Sequence, residues 1–362
     1  MPQLPRDTTA DLTADDIARY SRQLVLPEFG FDGQRRLAGA RVLVVGAGGL
    51  GSPALLYLAA AGIGTIGIVD SDTVELSNLH RQVIHDTAAV GTEKTTSAAA
   101  AVARLNPGVT VVTHQLRLDA TTVDEVVGGD DVVLDGTDNF PTRYLVNDAC
   151  ASAGIPLVWA SVLGFSAQVA VFWPAVPGGV QLRDLFPVPP AAGTVPSCAE
   201  AGVIGAVCGQ VGSIMAGEAI KLITGTGRPL LGRVLVIDAL DGRWDEVPLL
   251  PSTRPAPDEQ PAATCKVAPS ATAAGRPEEF GDDVFLLDVR EPGEFAGAHL
   301  PGSANIPLAR LLAADHDPLP SGTILVVCRS GRRAEVAAAS LQARGLADVR
   351  VLEGGLLGHG LL

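Results

Sequence analysis

The chain has 362 residues, 47% of them hydrophobic and 18% charged, a globular composition with room for two domains that each bury a core. A formal charge of −14 argues against nucleic acid as a partner, because phosphate binding needs a basic face. No apolar run reaches a membrane span without Gly or charge breaking it, and the first twenty residues are acidic and polar rather than a signal sequence, so a cytoplasmic protein with no membrane partner is expected.

Arg41–Val45 is a β-branched apolar run that reads as a buried strand, and Ser52–Ala61 reads as a helix. Thr65–Asp70 is a second strand ending in an acid, followed by a helix over Thr92–Arg104 and strands over Val109–Thr113 and Asp131–Leu134. This β-α-β alternation predicts an α/β fold, a Rossmann-like, mostly parallel sheet with helices on both faces. Val158–Val162 and Gln168–Trp173 read as further strands, the second returning antiparallel. A long apolar helix over Gly202–Thr224 and strands at Arg233–Ala239 and Glu246–Leu249 complete this part. From Pro251 to Pro277 six prolines (251, 255, 257, 261, 269 and 277) stand among Ala, Thr and Ser without apolar periodicity, the texture of an extended linker. A smaller α/β unit follows, with strands at Val284–Leu287, Ile324–Val327 and Val349–Leu352 and a helix over Arg333–Arg344. The expected division is residues 1–250, a Pro/Ala-rich linker over 251–268, and a second domain over 269–362. There is no internal repeat.

Gly46-Ala47-Gly48-Gly49-Leu50-Gly51 lies between the first strand and the first helix, where backbone N–H groups and a helix N-terminus meet phosphate. Asp70 lies 19 residues past Gly51, about where a ribose-binding acid belongs. By itself this pattern also suits a dinucleotide oxidoreductase or a plain tight turn. The surroundings favour a triphosphate. Arg81 and Lys94 supply cations and Asp138, in Thr137-Asp138-Asn139, a carboxylate able to hold magnesium.

Asp15–Leu249 resembles the MoeB/ThiF family of adenylating enzymes, relatives of ubiquitin-activating enzymes. The resemblance rests on Arg19-Tyr20-Ser21-Arg22-Gln23, the glycine loop, Asp70-Ser71-Asp72, Ser77-Asn78-Leu79-His80-Arg81-Gln82, Gly91 with Lys94, Thr137-Asp138-Asn139 and Cys198-Ala199-Glu200-Ala201-Gly202-Val203. It implies that Gly46, Gly48, Gly49, Gly51 and Asp70 hold ATP, with Asp70 on the ribose, and that Asn78, Arg81 and Lys94 contact the phosphates. It further implies that Asp138 binds Mg2+ and that Arg22 reaches the phosphates from the other subunit of a homodimer. The implied substrate is the C-terminal Gly-Gly carboxylate of a ubiquitin-fold sulfur-carrier protein, converted to an acyl-adenylate with loss of pyrophosphate.

The five cysteines (150, 198, 208, 265 and 328) are odd in number and irregularly spaced, which does not form a disulfide framework. Cys198 precedes the helix expected from Gly202, whose dipole would lower a thiol pKa; a small buried residue at a helix entry is the plainer alternative. In the resembled family this position takes the activated acyl group or closes a disulfide with a sulfur donor. Cys150 and Cys208 read as core thiols. Many relatives carry two CxxC pairs that bind zinc. Here Gly178–Arg183 holds no cysteine and the second location offers only Cys265, so no structural zinc is expected.

Cys328-Arg329-Ser330-Gly331-Arg332-Arg333 follows a strand and precedes a helix, and the plain reading is a free cysteine at a strand end with surface arginines. A loop curling round the sulfur would turn successive N–H groups toward it, and the three arginines and the helix dipole would add positive potential, all favouring a thiolate. The rest of this module resembles a rhodanese domain, through Leu287–Phe295, His299–Leu308, the six-residue Cys328–Arg333 loop and Leu352-Glu353-Gly354-Gly355. It implies that Cys328 carries a sulfane sulfur as a persulfide, loaded by a donor such as thiosulfate or a cysteine desulfurase. After Gly355 the sequence Leu356-Leu357-Gly358-His359-Gly360 has no aromatic anchor, so the final helix is expected to be short.

The fused order resembles the adenylyltransferase/sulfurtransferase proteins of MoeZ or MoeBR type, serving molybdopterin, thiamine or cysteine-type sulfur pathways. The expected chemistry is adenylation at the glycine loop followed by sulfur transfer from the Cys328 persulfide, with Cys198, Arg81 and Asp138 also taking part. Two other readings stand beside it: a thiosulfate-type sulfurtransferase with a vestigial adenylating domain, and a ubiquitin-like-protein binding scaffold without turnover.

Overall fold

The computed structural model describes residues 11–189, 202–252, 284–314 and 316–359. They fall into two compact units, one ending within the proline-rich stretch and the other formed by the C-terminal part. Most of the expected linker, with Cys265, lies outside the described residues.

The first unit is built on an eight-stranded sheet in the order β3-β2-β1-β4-β5-β6-β7-β8. Its strands are β1 Arg41–Val45, β2 Thr65–Val69, β3 Thr110–His114, β4 Val132–Asp135, β5 Leu157–Leu163, β6 Ser166–Phe172, β7 Arg233–Asp238 and β8 Arg243–Pro248. The first five run parallel, and β6, β7 and β8 each pair antiparallel with their neighbour. β1 is apolar after Arg41 because both its faces are covered: Val42 and Val44 join one core, Leu43 and Val45 the other. The helices Gly51–Ala61, Lys94–Leu105 and Gly205–Thr224 supply the first core, and Val123–Val127 and Phe140–Ala153 the second.

Helix Gly205–Thr224 is long and apolar enough to cross a membrane by composition. Val211, Met215, Ala219 and Leu222 nevertheless sit in the first core beside Leu55 and Leu58 of helix Gly51–Ala61. The helix starts three residues later than its sequence suggests. Val203 pairs with Gly164 and Ile204 is extended, so the chain adds a bridge to the sheet before it coils. The last strand is longer than expected, beginning at Arg243, where all six residues are exposed and give no alternation to read.

The second unit has a four-stranded parallel sheet in the order β10-β9-β11-β12, with β9 Phe285–Asp288, β10 Ala304–Asn305, β11 Ile324–Val327 and β12 Val349–Val351. Helix Arg332–Ala343 packs Ala334, Ala337, Ala338 and Leu341 onto one face. The loop after β9 is fixed by a fully buried pair, Arg290 donating to Asp288 at 2.6 Å and to the Ala298 carbonyl at 2.7 Å. An ion pair this deep is tolerated because backbone groups satisfy the remaining valences, the Arg290 N–H also meeting Asp288 at 3.0 Å.

Candidate functional sites

In the first sheet the chain goes outward from β1 through β2 to β3 and from β4 the opposite way to β5. The loops that leave β1 and β4 therefore diverge and open a crevice at the carboxyl ends of the strands. Gly46–Leu50 leaves β1 and Gly136–Asn139 leaves β4, and the two backbones touch: a Cβ on Gly46 would stand 3.3 Å from the Gly136 carbonyl oxygen. Among the described residues the N–H groups of Gly48, Gly49 and Leu50 have no hydrogen-bond partner, which leaves three successive donors at the start of helix Gly51–Ala61. That is an anion-binding arrangement. Gly51 permits it, since a Cβ there would lie 1.8 Å from the Gly46 carbonyl oxygen. Gly51→Ala is accordingly expected to cost the first unit about 3 kcal/mol through overpacking, read as a lower urea midpoint for that unit with the second unit's transition unmoved.

Side chains converge on this loop from the next two segments. Asp70 accepts the Ala47 N–H at 2.8 Å and the Asp72 N–H at 2.9 Å, which ties the end of β2 to the glycine loop. Arg81 runs alongside Gly49, its Cδ 3.6 Å from where a Cβ would be, and Gln82 lies 3.7 Å from the same position on Gly48. The Arg81 guanidinium donates to the Ser77 carbonyl at 3.0 Å and to His80 Nε2 at 2.9 Å. Asn78 is buried and its side-chain oxygen accepts the Glu75 N–H at 3.1 Å, so it holds the 310 turn Leu76–Asn78 that presents Arg81. Lys94, only 7% exposed, begins helix Lys94–Leu105 and pairs with Asp72 at 2.8 Å.

Asp138 is exposed and makes no hydrogen bond or ion pair among the described residues. The loop that carries it is stiff, for reasons the sequence reading missed. Asp135, fully buried, accepts both the Thr137 N–H at 2.9 Å and the Thr137 hydroxyl at 2.6 Å. Arg143 donates to the Thr137 carbonyl at 2.9 Å and to Ser161 at 3.1 Å, and stacks between Phe140 and Trp159. Thr137 is thus held at both its N–H and its C=O. Burial raises the Asp135 carboxyl, opposed by the Arg143 charge and the bonds from Thr137. The signal for Arg143 was its place four residues past the N-cap Asn139, which folds it back onto the loop.

Arg22, on the short helix Ser21–Leu24, is exposed and has no partner among the described residues; the chain does not itself bring it to the glycine loop. Cys198 lies outside the described residues, and the helix whose dipole was expected to act on it begins only at Gly205. Cys150 and Cys208 are buried core thiols, and burial beside Asp135 pushes the Cys150 thiol far up.

In the second unit Cys328 immediately follows the inner strand β11 and is fully buried. The N–H groups of Arg329, Ser330 and Gly331 have no partner among the described residues, in line with the expected nest. The arginines, however, divide. Arg329 and Arg332 are exposed, while Arg333 is buried and paired through both nitrogens to Glu294 at 2.7 and 2.8 Å. Arg333 therefore braces the loop against helix Pro292–Gly297 instead of adding free charge at the sulfur, a correction to the sequence reading. Burial alone would raise the Glu294 carboxyl; the Arg333 bonds outweigh it and hold the group below its usual range. The final helix is short, Gly355–Gly358, and backs the loop with its own N–H groups: Leu356 donates to the Cys328 carbonyl and Leu357 to that of Arg329, both at 2.9 Å. Any side chain at Gly355 would collide with the Cys328 and Arg329 carbonyls at 2.5 Å.

Comparison with known proteins fits this geometry. Residues 20–260 match the ThiF family and residues 272–358 the rhodanese-like domain. The chain is 44% identical over 376 residues to the protein named "Probable adenylyltransferase/sulfurtransferase MoeZ" of Mycobacterium tuberculosis, covering 99% of this chain and 96% of that protein. It is 51% identical over 240 residues to the SAMP-activating enzyme E1 of Haloferax volcanii, covering 66% of this chain and 88% of the relative. Among solved structures PaaA superposes with a TM-score of 0.58 at 25% identity, over 68% of this chain and 78% of PaaA.

Proposed function

The chain belongs to the ThiF family and carries a rhodanese-like domain, and from that premise we propose that it adenylates the C-terminal Gly-Gly carboxylate of a ubiquitin-fold sulfur carrier and then converts it to a thiocarboxylate. It is an adenylyltransferase and sulfurtransferase, like its full-length relatives. The observation that carries the adenylation half is the row of unpartnered N–H groups on Gly48–Leu50, with Asp70 tied to the loop and Arg81 alongside it.

In this reading the glycine loop takes the phosphates of ATP and Asp70 still has lone pairs for the ribose. Arg81 and Lys94 balance charge as pyrophosphate leaves, Arg81 by exchanging its Ser77 and His80 contacts for phosphate. Asn78 presents the Arg81 turn, and Arg22 of a second subunit completes the site in a homodimer. A single exposed carboxylate without a partner suits magnesium, which keeps its waters and binds mostly through substrate phosphates, so Asp138 is the residue that would hold it. The metal there would neutralise developing charge on the phosphates.

The carrier carboxylate attacks the α-phosphate and expels pyrophosphate. The outer sulfur of the Cys328 persulfide then attacks the acyl carbon, AMP leaves, and an acyl disulfide to Cys328 remains. A thiolate, assigned to Cys198, attacks the Cys328 sulfur and releases the thiocarboxylate, and an external thiol reduces the resulting disulfide. Thiosulfate or a cysteine desulfurase reloads Cys328. The surroundings are cytoplasmic and no zinc is involved.

Carrier-dependent exchange of labelled pyrophosphate into ATP tests this directly. Exchange is expected with at least one ubiquitin-fold carrier ending in Gly-Gly and none with a carrier lacking that tail. If no carrier supports exchange while thiosulfate sulfurtransfer proceeds, the first unit is not an adenylating enzyme.

A further inference from the structure

The glycine loop is held from beneath by a residue that belongs to none of the motifs above. His85 is 6% exposed, lies in the segment between Arg81 and Lys94, and faces the loop from its buried side. Its Nε2 is 3.0 Å from the Ala47 carbonyl oxygen, and its Nδ1 is 2.9 Å from Ser97 Oγ on helix Lys94–Leu105. A carbonyl only accepts, so Nε2 carries the proton, and in the neutral ring Nδ1 accepts from the Ser97 hydroxyl. Ser52 Oγ is a longer contact to the same carbonyl, 3.4 Å. Asp70 meanwhile takes the Ala47 N–H. Ala47 is therefore clamped at both ends, as Thr137 is in the neighbouring loop.

The consequence follows from peptide geometry. In a planar trans peptide the Ala47 carbonyl and the Gly48 N–H point in opposite directions. Fixing the carbonyl on His85, inside, aims the Gly48 N–H to the other side, and it is the first of the three successive unpartnered donors, with those of Gly49 and Leu50 next in the chain. We propose that His85 is the positioning residue that sets the glycine loop's donors for the triphosphate, acting through the Ala47 peptide and not by touching the nucleotide. This rests on the adenylation reading above.

The charged groups that face the ring are Lys94 on the following helix, Asp70 at the end of β2 and Asp86 beside it in sequence. Burial lowers the imidazole below its ordinary 6.5; the Ala47 bond and the two carboxylates oppose this and Lys94 adds to it. The unfolded chain thus takes up this proton at a higher pH than the folded one. The stability linked to the neutral ring is fully present above about pH 6.5 and is lost as pH falls below it.

The test is calorimetric binding of ATP with magnesium to the full chain and to His85→Gln, His85→Asn and His85→Leu. Glutamine places an amide donor about where Nε2 stands, whereas asparagine reaches only to the Nδ1 position and leucine donates nothing. Affinity is expected to fall about tenfold in the leucine and asparagine variants and to stay within about twofold in the glutamine variant. The native chain is also expected to lose unfolding midpoint as pH falls below about 6.5, and the glutamine variant to lose less over the same range. Native-like affinity in the asparagine or leucine variant overturns the proposal, as does equal loss in the glutamine and asparagine variants. If the native chain itself does not bind ATP with magnesium, the adenylation reading falls, and this inference with it.

Discussion

Cys328→Ala is expected to abolish thiocarboxylate formation, by at least about a thousandfold, while carrier-dependent pyrophosphate exchange continues at the native rate. In the proposed reaction the sulfur is the group that forms and breaks the covalent bond, so nothing nearby can replace it. Loss through unfolding is not expected. Cys328 is fully buried among Leu287, Val289, Ala334 and Ala337, and removing one sulfur atom from that wall costs far less than removing a large side chain. The loop keeps its other supports, the Arg333–Glu294 pair and the N–H groups of Leu356 and Leu357. The measurement is mass spectrometry of the carrier, which gains 16 Da on exchanging one oxygen for sulfur, beside an exchange assay on the same preparation, the mass being roughly the difference of one sulfur and one oxygen atom in the nucleophilic-transfer scheme. An unchanged yield of thiocarboxylate removes the rhodanese unit from the reaction.

The pattern of what the sequence made legible follows from how local each feature is. β1, β2 and β4 stand out because both faces of each are buried, so their interiors run apolar between the polar residues Arg41, Thr65 and Asp135 at their ends. Helix Phe140–Ala153 did not, although its start carries Asn139 as N-cap and a proline in the first turn. Its inner face includes Arg143 and Asn147, which are buried because they bond Thr137 and Leu182, and a polar residue with a distant partner looks like surface in a sequence. β8 was shortened for the opposite reason, being an exposed edge with Trp244 and Val247 facing out. β10 has two residues, too few for any period.

The same division runs through the candidate sites. Residues that a motif places together in sequence, such as Gly46–Gly51 with Asp70, come together in the fold at the carboxyl ends of β1 and β2. Residues whose role depends on a partner far along the chain were misread or missed. Arg333 finds Glu294 across 39 positions, which turns a charge expected to favour the thiolate into a brace. His85 reaches Ala47 across 38 positions, while Arg143, with Thr137 only six residues away, was missed because the course of the Thr137-Asp138-Asn139 loop is not written in the sequence. In each case the hydrogen-bond partner is a backbone carbonyl or an acid whose availability depends on tertiary structure.

Asp138→Asn gives the reciprocal result. It is expected to lower carrier-dependent pyrophosphate exchange by about a hundredfold or more, with thiosulfate sulfurtransfer at Cys328 unchanged. The asparagine keeps the shape of the side chain and removes its charge. The loop has no reason to move, because Thr137 is bonded at both ends by Asp135 and Arg143, and Asn139 still caps the following helix by accepting the Thr142 N–H at 3.0 Å. In the proposed site the loss is that of the one anionic ligand this loop would offer magnesium, since Asp135 is buried, bonded to Thr137 and pushed toward its neutral form. The deficit should therefore shrink as magnesium is raised, whereas a defect in carrier binding would shrink with carrier concentration instead. A magnesium titration of exchange at saturating carrier separates the two. Native exchange at every magnesium concentration would remove Asp138 from the metal site, and with Cys328→Ala silent only in sulfur transfer, the pair of variants assigns each half-reaction to its own unit.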